Sequence, residues 1–232
     1  MDVEGLLPWS SNYTFLARIC SESEEVSAIY KPQRGERPLW DFPQGTLYLR
    51  ECAAFVISEA IGWNLIPPTV IRQGPNGIGS VQLFIEHDPE RHYFTFEGIE
   101  EYKIALQKMV LLDILINNAD RKAGHLLLED MVDGTDLEYL WAIDHGVCFH
   151  AEYKLRTVIW EFAGMPIPSA RVEELIQFQQ QLAQKAGQLK TQLLNLLAEN
   201  ETLALQNRLS ILLNQAQFPN PGPGRHYPWP PV

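Results

Sequence analysis

The chain is short of cysteine, of positive charge and of long apolar runs, and each shortage closes a class of explanation. Its three cysteines, Cys20, Cys52 and Cys148, are scattered through 232 residues. An odd, dispersed set is no disulfide frame, and it points to a reducing, cytoplasmic setting. Lys and Arg number 18 against 29 Asp and Glu, for a formal net charge of −11. Duplex nucleic acid and anionic membrane are both bound through basic surface, so this balance argues against either partner. The most apolar stretch, residues 109–116, contains Asp113 and is far shorter than the ~20 residues of a membrane-spanning helix. Asp2 and Glu4 stand where a secretory leader would be basic, so no signal peptide is expected.

What is present is an ordinary globular composition, 46% hydrophobic and 20% charged, at a length suited to one domain or two closely packed lobes. Residues 13–19 and 26–30 read as short strands around an acidic turn, followed by a loop at 31–45 rich in Pro, Gly and Arg. Residues 46–61 read as a helix that Gly62 stops. Its middle, 52–57, is apolar all round and should be buried. Two further β-prone runs, 67–73 and 80–86, flank Asn76-Gly77, a hairpin signal. One helix against an antiparallel sheet makes a first lobe over residues 1–90.

The second lobe, 91–215, opens with an apolar helix at 101–116 and a polar loop at 117–124. Strand-like runs at 125–129 and 137–143 follow, with Asp133-Gly134 in the turn between them. Helical pattern begins at Arg171. Leu175, Leu182, Leu189, Leu196 and Leu203 recur every seven residues, with Val172, Ala186 and Leu193 filling the seam. Such a repeat is either a self-association surface or a helix packed on this lobe and broken near Asn200. Residues 216–232 hold many prolines and read as an extended or disordered tail.

Four pieces carry chemistry. Lys31 ends a strand, where an ammonium can hold phosphates as a point charge. Glu51 sits near the start of the apolar helix; it either pairs with a cation such as Lys31 or lies on an exposed flank beside Arg50. The third and fourth are Asn117-Asn118-Ala119-Asp120-Arg121-Lys122-Ala123-Gly124-His125 and Ala142-Ile143-Asp144-His145-Gly146. If 126–129 and 137–143 pair as a hairpin, its open end brings Asp120, His125 and Asp144 together. Converging carboxylates need a cation, and Mg²⁺ with nucleotide phosphates is a common solution.

In this order, YKP, RECAAF, NNADRKAGH and AIDHG resemble the phosphatidylinositol 3-/4-kinase superfamily over roughly residues 10–149. The type II phosphatidylinositol 4-kinase branch, the HipA-like and actin-fragmin-kinase groups and uncharacterised bacterial phosphatidylinositol-kinase-like proteins are the nearest in pattern. The resemblance implies an α+β, bilobal, protein-kinase-like fold, with a small antiparallel-sheet N-lobe and a mostly helical C-lobe. It implies an ATP-dependent phosphotransferase using Mg or Mn, with a lipid, protein Ser/Thr or small-molecule acceptor. A nucleotide-binding pseudokinase acting as scaffold or sensor, and an AMP transferase, are the alternatives.

By position, Lys31 would bind phosphate and Glu51 would be its helix partner. Asp120, with Arg121, would be catalytic, and Asp144 would hold metal. Phe84, Ile85 and Glu86 would meet adenine through their backbone. Ser10, Ser11 and Asn12 occupy the phosphate-covering loop, without the usual glycines. His125 stands where the family has an asparagine metal ligand, a change that suits Mn²⁺, Fe²⁺ or Zn²⁺ better than Mg²⁺. The group His145, Cys148 and His150 lacks zinc spacing. Trp40, Trp63, Trp141 and Trp160 read as packing residues. Arg34, Arg37 and Arg50 read as solvated charges or a phosphate-friendly patch.

Overall fold

The structure, a computed structural model, describes residues 1–7, 12–20, 24–130, 138–184 and 187–232. The first lobe is an antiparallel sheet of β1 (Asp2–Leu6), β2 (Phe15–Cys20), β3 (Glu25–Pro32), β4 (Thr69–Gly74) and β5 (Gly77–Leu83), with α1 (Leu47–Ile61) inserted between β3 and β4. Strand order is β1-β2-β3-β5-β4. The edge strand β1 was not read from the sequence: its five residues, DVEGL, are mostly exposed and carry no alternating apolar face. Along β3, Ala28, Tyr30 and Pro32 are buried on one face, and the two-residue period turns Ile29 and Lys31 to the other. Tyr30 and Ala28 join Ala17 and Val81 in a small core under the sheet. Gly79, beside Pro32 in the β3–β5 ladder, has no room for a side chain, since a Cβ there would lie 2.3 Å from the Lys31 carbonyl oxygen.

Helix α1 ends as its sequence demands. Gly62 takes φ 77° and its N–H bonds back to the Glu59 and Ser58 carbonyls. Of the middle, Cys52, Ala53, Ala54 and Ile57 are buried and Phe55 and Val56 partly so. The β4–β5 turn falls one residue earlier than expected: Gly74 pairs with Gly77, whose φ is 104°.

The second lobe holds the larger core. A short helix, α2 (Tyr93–Phe96), precedes α3 (Lys103–Ile116), which is buried along 109–116. Asn117, left-handed at φ 55°, ends α3. The hairpin β6 (Leu126–Asp130) and β7 (Glu138–Ala142) pairs antiparallel, Leu126 opposite Ala142. Helices α4 (Ser169–Ala183), α5 (Gln188–Leu196) and α6 (Glu199–Gln215) close the lobe. The expected turn at Asp133-Gly134 lies outside the described residues, as does Ala186.

The seven-residue leucine repeat is not one continuous seam. The chain leaves helix geometry at Gln184 and again at Leu197, so three helices fold back on one another. Leu175, Leu182 and Leu193 are buried, Val172, Leu189 and Leu196 pack against the same core, and Leu203 is exposed. The periodicity therefore serves packing within the lobe rather than a coiled coil between chains. Trp63 is buried and Trp141 and Trp160 partly so, but Trp40 is 93% exposed, with the Lys154 ammonium 5.3 Å from its ring centroid. Among the described residues no helix is long and apolar enough to cross a membrane.

Candidate active site

Lys31 links three distant parts of the chain. Its Nζ lies 2.5 Å from Glu51 Oε1 and 2.9 Å from Asp144 Oδ1. Glu51 is 3% exposed, so the paired reading holds and the exposed-flank reading does not. Its second oxygen accepts the His145 backbone N–H at 2.8 Å. Burial alone would lower the Lys31 pKa, but Asp144 and Glu51 outweigh it and hold the ammonium protonated well above its ordinary value. Asp144 adopts φ 61°, a left-handed conformation that Asp tolerates better than most residues. That turn aims its half-exposed carboxylate at the lobe junction. Burial works to raise its pKa, yet Lys31 and His125 prevail and keep it ionised.

The loop carrying Asp120 is built on a buried ion pair. Arg121, fully buried, places Nε 2.9 Å from Asp113 Oδ2 and Nη2 3.0 Å from Asp113 Oδ1. Its Nη1 donates to the Ile143 carbonyl at 2.9 Å, and its Nη2 lies 2.7 Å from His145 Nε2. A guanidinium can only donate, so His145 Nε2 accepts and its ring is neutral. Burial and then Arg121 drive its pKa well below the ordinary value. Arg121 was expected beside Asp120 as a catalytic group. Its guanidinium faces inward, so its work is to hold the loop to α3 and to the segment carrying Asp144. His145, expected to line the site, lies buried behind it.

Asn118 completes the loop: its amide donates to Asp113 Oδ1 and its Oδ1 accepts the Asp120 N–H, both at 2.9 Å. Asp120 is left at the mouth, one-third exposed, with Lys122 Nζ at 3.6 Å. Burial raises its pKa, Lys122 opposes, Asp144 adds, and the outcome is about 6. His125 Nε2 lies 3.3 Å from Asp144 Oδ2, while its Nδ1 receives a long 3.4 Å contact from the Lys122 N–H. Burial, opposed by Asp144 and aided by Arg121, takes its pKa down to about 4, so the ring is neutral. With Nδ1 accepting, the proton sits on Nε2 and is directed at Asp144.

Asn12, Lys31, Glu36, Glu51, Asp120 and Asp144 line one cavity of about 40 Å³ between the lobes. Ser10 and Ser11 lie outside the described residues. Phe84, Ile85 and Glu86 follow the end of β5, and none lines this cavity; Ile85 is buried, its carbonyl 2.8 Å from His87 Nδ1. Among the described residues no cluster of three or more His, Cys, Asp or Glu stands ready for a metal, zinc included.

Sequence reasoning missed Glu36, Asp113 and the true place of Arg50. Glu36 Oε1 accepts the Tyr48 N–H at 2.9 Å at the start of α1, a role no local pattern announces. Asp113 could have been found, because a carboxylate inside an apolar helix requires a buried cation. Arg34 and Arg37 are exposed, but Arg50 is 1% exposed. It bonds Glu201 of α6 at 2.5 Å and the Cys148 carbonyl at 2.7 Å.

A five-stranded sheet with one helix, joined to a helical lobe through a Lys–Glu–Asp junction, defines a bilobal kinase-like protein. Solved structures share the fold. The golgi casein kinase superposes with a TM-score of 0.60 at 16% identity, covering 95% of this chain and 76% of that one. The Helicobacter pylori proinflammatory kinase CtkA gives 0.56 at 11% identity, covering 93% and 94%. Within that class the chain belongs to the phosphatidylinositol 3- and 4-kinase family, whose sequence model matches residues 4–206. Protein Rv2133c of Mycobacterium tuberculosis is 37% identical over 99% of this chain and 91% of its own. Phosphatidylinositol 4-kinase gamma 4 of Oryza sativa is 31% identical over 48% of this chain and 22% of its own.

Proposed function

We propose that the protein transfers the γ-phosphoryl group of ATP to a hydroxyl acceptor. The observation that carries this reading is Lys31 joined at once to Glu51 and Asp144, the arrangement on which kinase phosphate binding depends. Lys31 binds and orients phosphate oxygens, and Glu51 fixes the direction of its ammonium. Asp120 orients the acceptor hydroxyl and takes its proton on a carboxylate oxygen. Arg121 and Asn118 keep Asp120 in register with Asp144. Adenine lies along the backbone of Phe84, Ile85 and Glu86, and Asn12 borders the phosphates.

A divalent cation, Mg²⁺ or Mn²⁺, fits Asp144: its carboxylate is half-exposed, ionised and has lone pairs beyond those used by Lys31 and His125. Bound there, such a cation supplies charge neutralisation for the phosphates. Four carboxylates and one ammonium line the cavity, which favours a cation accompanying any triphosphate. His125, in the tautomer its neighbours select, donates to Asp144 and serves as its positioning residue rather than as a second ligand. A nucleotide needs several hundred Å³ against the 40 Å³ present, so admitting one requires this cavity to widen.

Incubation with γ-labelled ATP, Mg²⁺ or Mn²⁺ and pools of lipid, protein and small-molecule acceptors tests the reading. Label should enter one pool, and Asp120→Ala and Asp144→Ala should abolish it. Equal labelling by all three proteins overturns these roles. In a parallel reaction, label entering from α-labelled but not γ-labelled ATP identifies an AMP transferase, and nucleotide binding without transfer to any pool identifies a pseudokinase.

A further inference from the structure

Residues 216–232 are extended, as their prolines require, but they are not a free tail. Phe218, 1% exposed, exchanges two backbone bonds with the 164–165 turn: Gly164 N–H to the Phe218 carbonyl at 3.0 Å and Phe218 N–H to the Met165 carbonyl at 2.9 Å. Further on, the His226 carbonyl accepts the Thr157 N–H at 3.1 Å and the Trp160 indole N–H at 3.3 Å, and the His226 ring stands edge-on to Trp160 at 5.9 Å. Pro228 is buried. The Pro231 carbonyl then accepts the Ala123 N–H at 2.8 Å.

Both contacts fall on the machinery of the loop. Ala123 is buried between Asp120 and His125. Thr157 lies in the segment that bridges Arg121, with the Arg121 N–H bonded to the Arg156 carbonyl at 3.0 Å and the Val158 N–H to the Arg121 carbonyl at 3.1 Å. The loop supplies its own partners for the Asp120 and His125 amides, through Asn118 and Lys122, whereas the Ala123 amide is met by Pro231. A buried N–H stripped of its partner is costly, so the loop would shift to reach water without this segment.

We propose that residues 226–231 form a brace that positions the Asp120–His125 loop for phosphoryl transfer. The kinetic consequence rests on the phosphotransfer reading; the mechanical one does not. A carboxylate that must meet an acceptor hydroxyl loses rate steeply when displaced, while Lys31, Glu51 and Asp144 are held by bonds outside the brace.

Two full-length variants test it. In one, residues 226–231 become a Gly-Ser run of equal length. In the other, Ala123→Pro removes a single donor at the first position of a 3-10 turn, where proline is tolerated. Lys122 before it already has φ −91° and ψ 163°, as a residue preceding proline should. Amide exchange across 119–125 is expected to quicken at least ~tenfold in each, with α3 unchanged. kcat should fall between ~tenfold and ~100-fold while the KM for ATP stays within about twofold. Adding Ala123→Pro to the Gly-Ser variant should add little, because that run already disrupts the Pro231 contact that Ala123→Pro removes. Unchanged exchange across 119–125 overturns the brace, and so does kcat at or above that of the parent. If the Gly-Ser chain fails to fold, Ala123→Pro decides. If the parent labels no acceptor, the phosphotransfer reading fails and the exchange experiment still judges the brace.

Discussion

Asp120 and Asp144 face the same cavity yet titrate in opposite directions, as the two roles proposed for them require. Asp144 has Lys31 at 2.9 Å and stays ionised, as a cation ligand must. Burial, against the downward pull of Lys122 at 3.6 Å and, more weakly, Arg156, lifts the Asp120 pKa to about 6, near working pH, as the proposed proton acceptor requires. Since the proposed role needs the deprotonated form to accept the hydroxyl proton, kcat/KM measured from pH 5 to 8 should rise through an apparent pKa near 6 and then level. The same shift has a sign for stability. A carboxyl raised in the folded state stabilises most below its unfolded pKa, and that contribution is gone once pH passes about 6. At pH 7.5 ionised Asp120 is therefore unfavourable, and Asp120→Asn should raise Tm while abolishing transfer, the Tm gain shrinking toward pH 4. A uniform Tm gain at all pH values would refute the shift. Asp120 and Asp144 were legible in the sequence because polar letters crowd the two points that a hairpin must join. Arg50 was not: one charged letter at the edge of an apolar helix looks the same whether it meets water or Glu201.

Among elements, α3 and the 117–125 loop form one unit, because a buried pair joins them. Removing one partner of a buried pair strands the other charge, at a cost of about 3–5 kcal/mol. Asp113→Ala is expected to lose that much in urea denaturation, while Asp113→Leu with Arg121→Met should recover most of it. The double variant should remain inactive, since Arg121 also holds the Ile143 carbonyl and His145 beside Asp144. Recovery of both stability and transfer would refute the positioning role of Arg121. Helix α1 is pinned in the same manner: Arg50 reaches Cys148 and Glu201, and Glu51 reaches His145, so α1 moves with the Asp144 segment. Helix α6 thereby props the Lys31–Glu51 pair from a distance of 150 positions in sequence. No periodicity carries such information. The leucine repeat left two readings open for a related reason, since a heptad reports that one face is apolar and not what covers it. The breaks at Gln184 and Leu197 let that face turn inward. Elements with strong local signals are found close to where their residues place them, α1 stopping at Gly62 as expected and β4 and β5 meeting with the turn one residue early.

For the whole molecule, the net charge of −11 and the carboxylate-lined junction would set the terms on which the proposed nucleotide enters. A triphosphate approaching Glu36, Glu51, Asp120 and Asp144 with Lys31 as the sole ammonium among the cavity's lining residues is repelled unless a divalent cation comes with it. Asp144 would hold such a cation through lone pairs that Lys31 leaves free, and the cation would supply charge neutralisation beside the Lys31 ammonium. Metal and nucleotide should thus bind with positive coupling. A ligand present at 100 times its Kd stabilises by about 2.7 kcal/mol, so ATP with Mg²⁺ or Mn²⁺ should raise Tm by several degrees. ATP with EDTA should give little shift, and the metal alone a small one. Asp144→Asn removes the cation ligand and one repelling charge together, so the variant should bind ATP equally with or without metal. Wild-type protein showing that same indifference would mean that the junction does not handle nucleotide through a cation at Asp144.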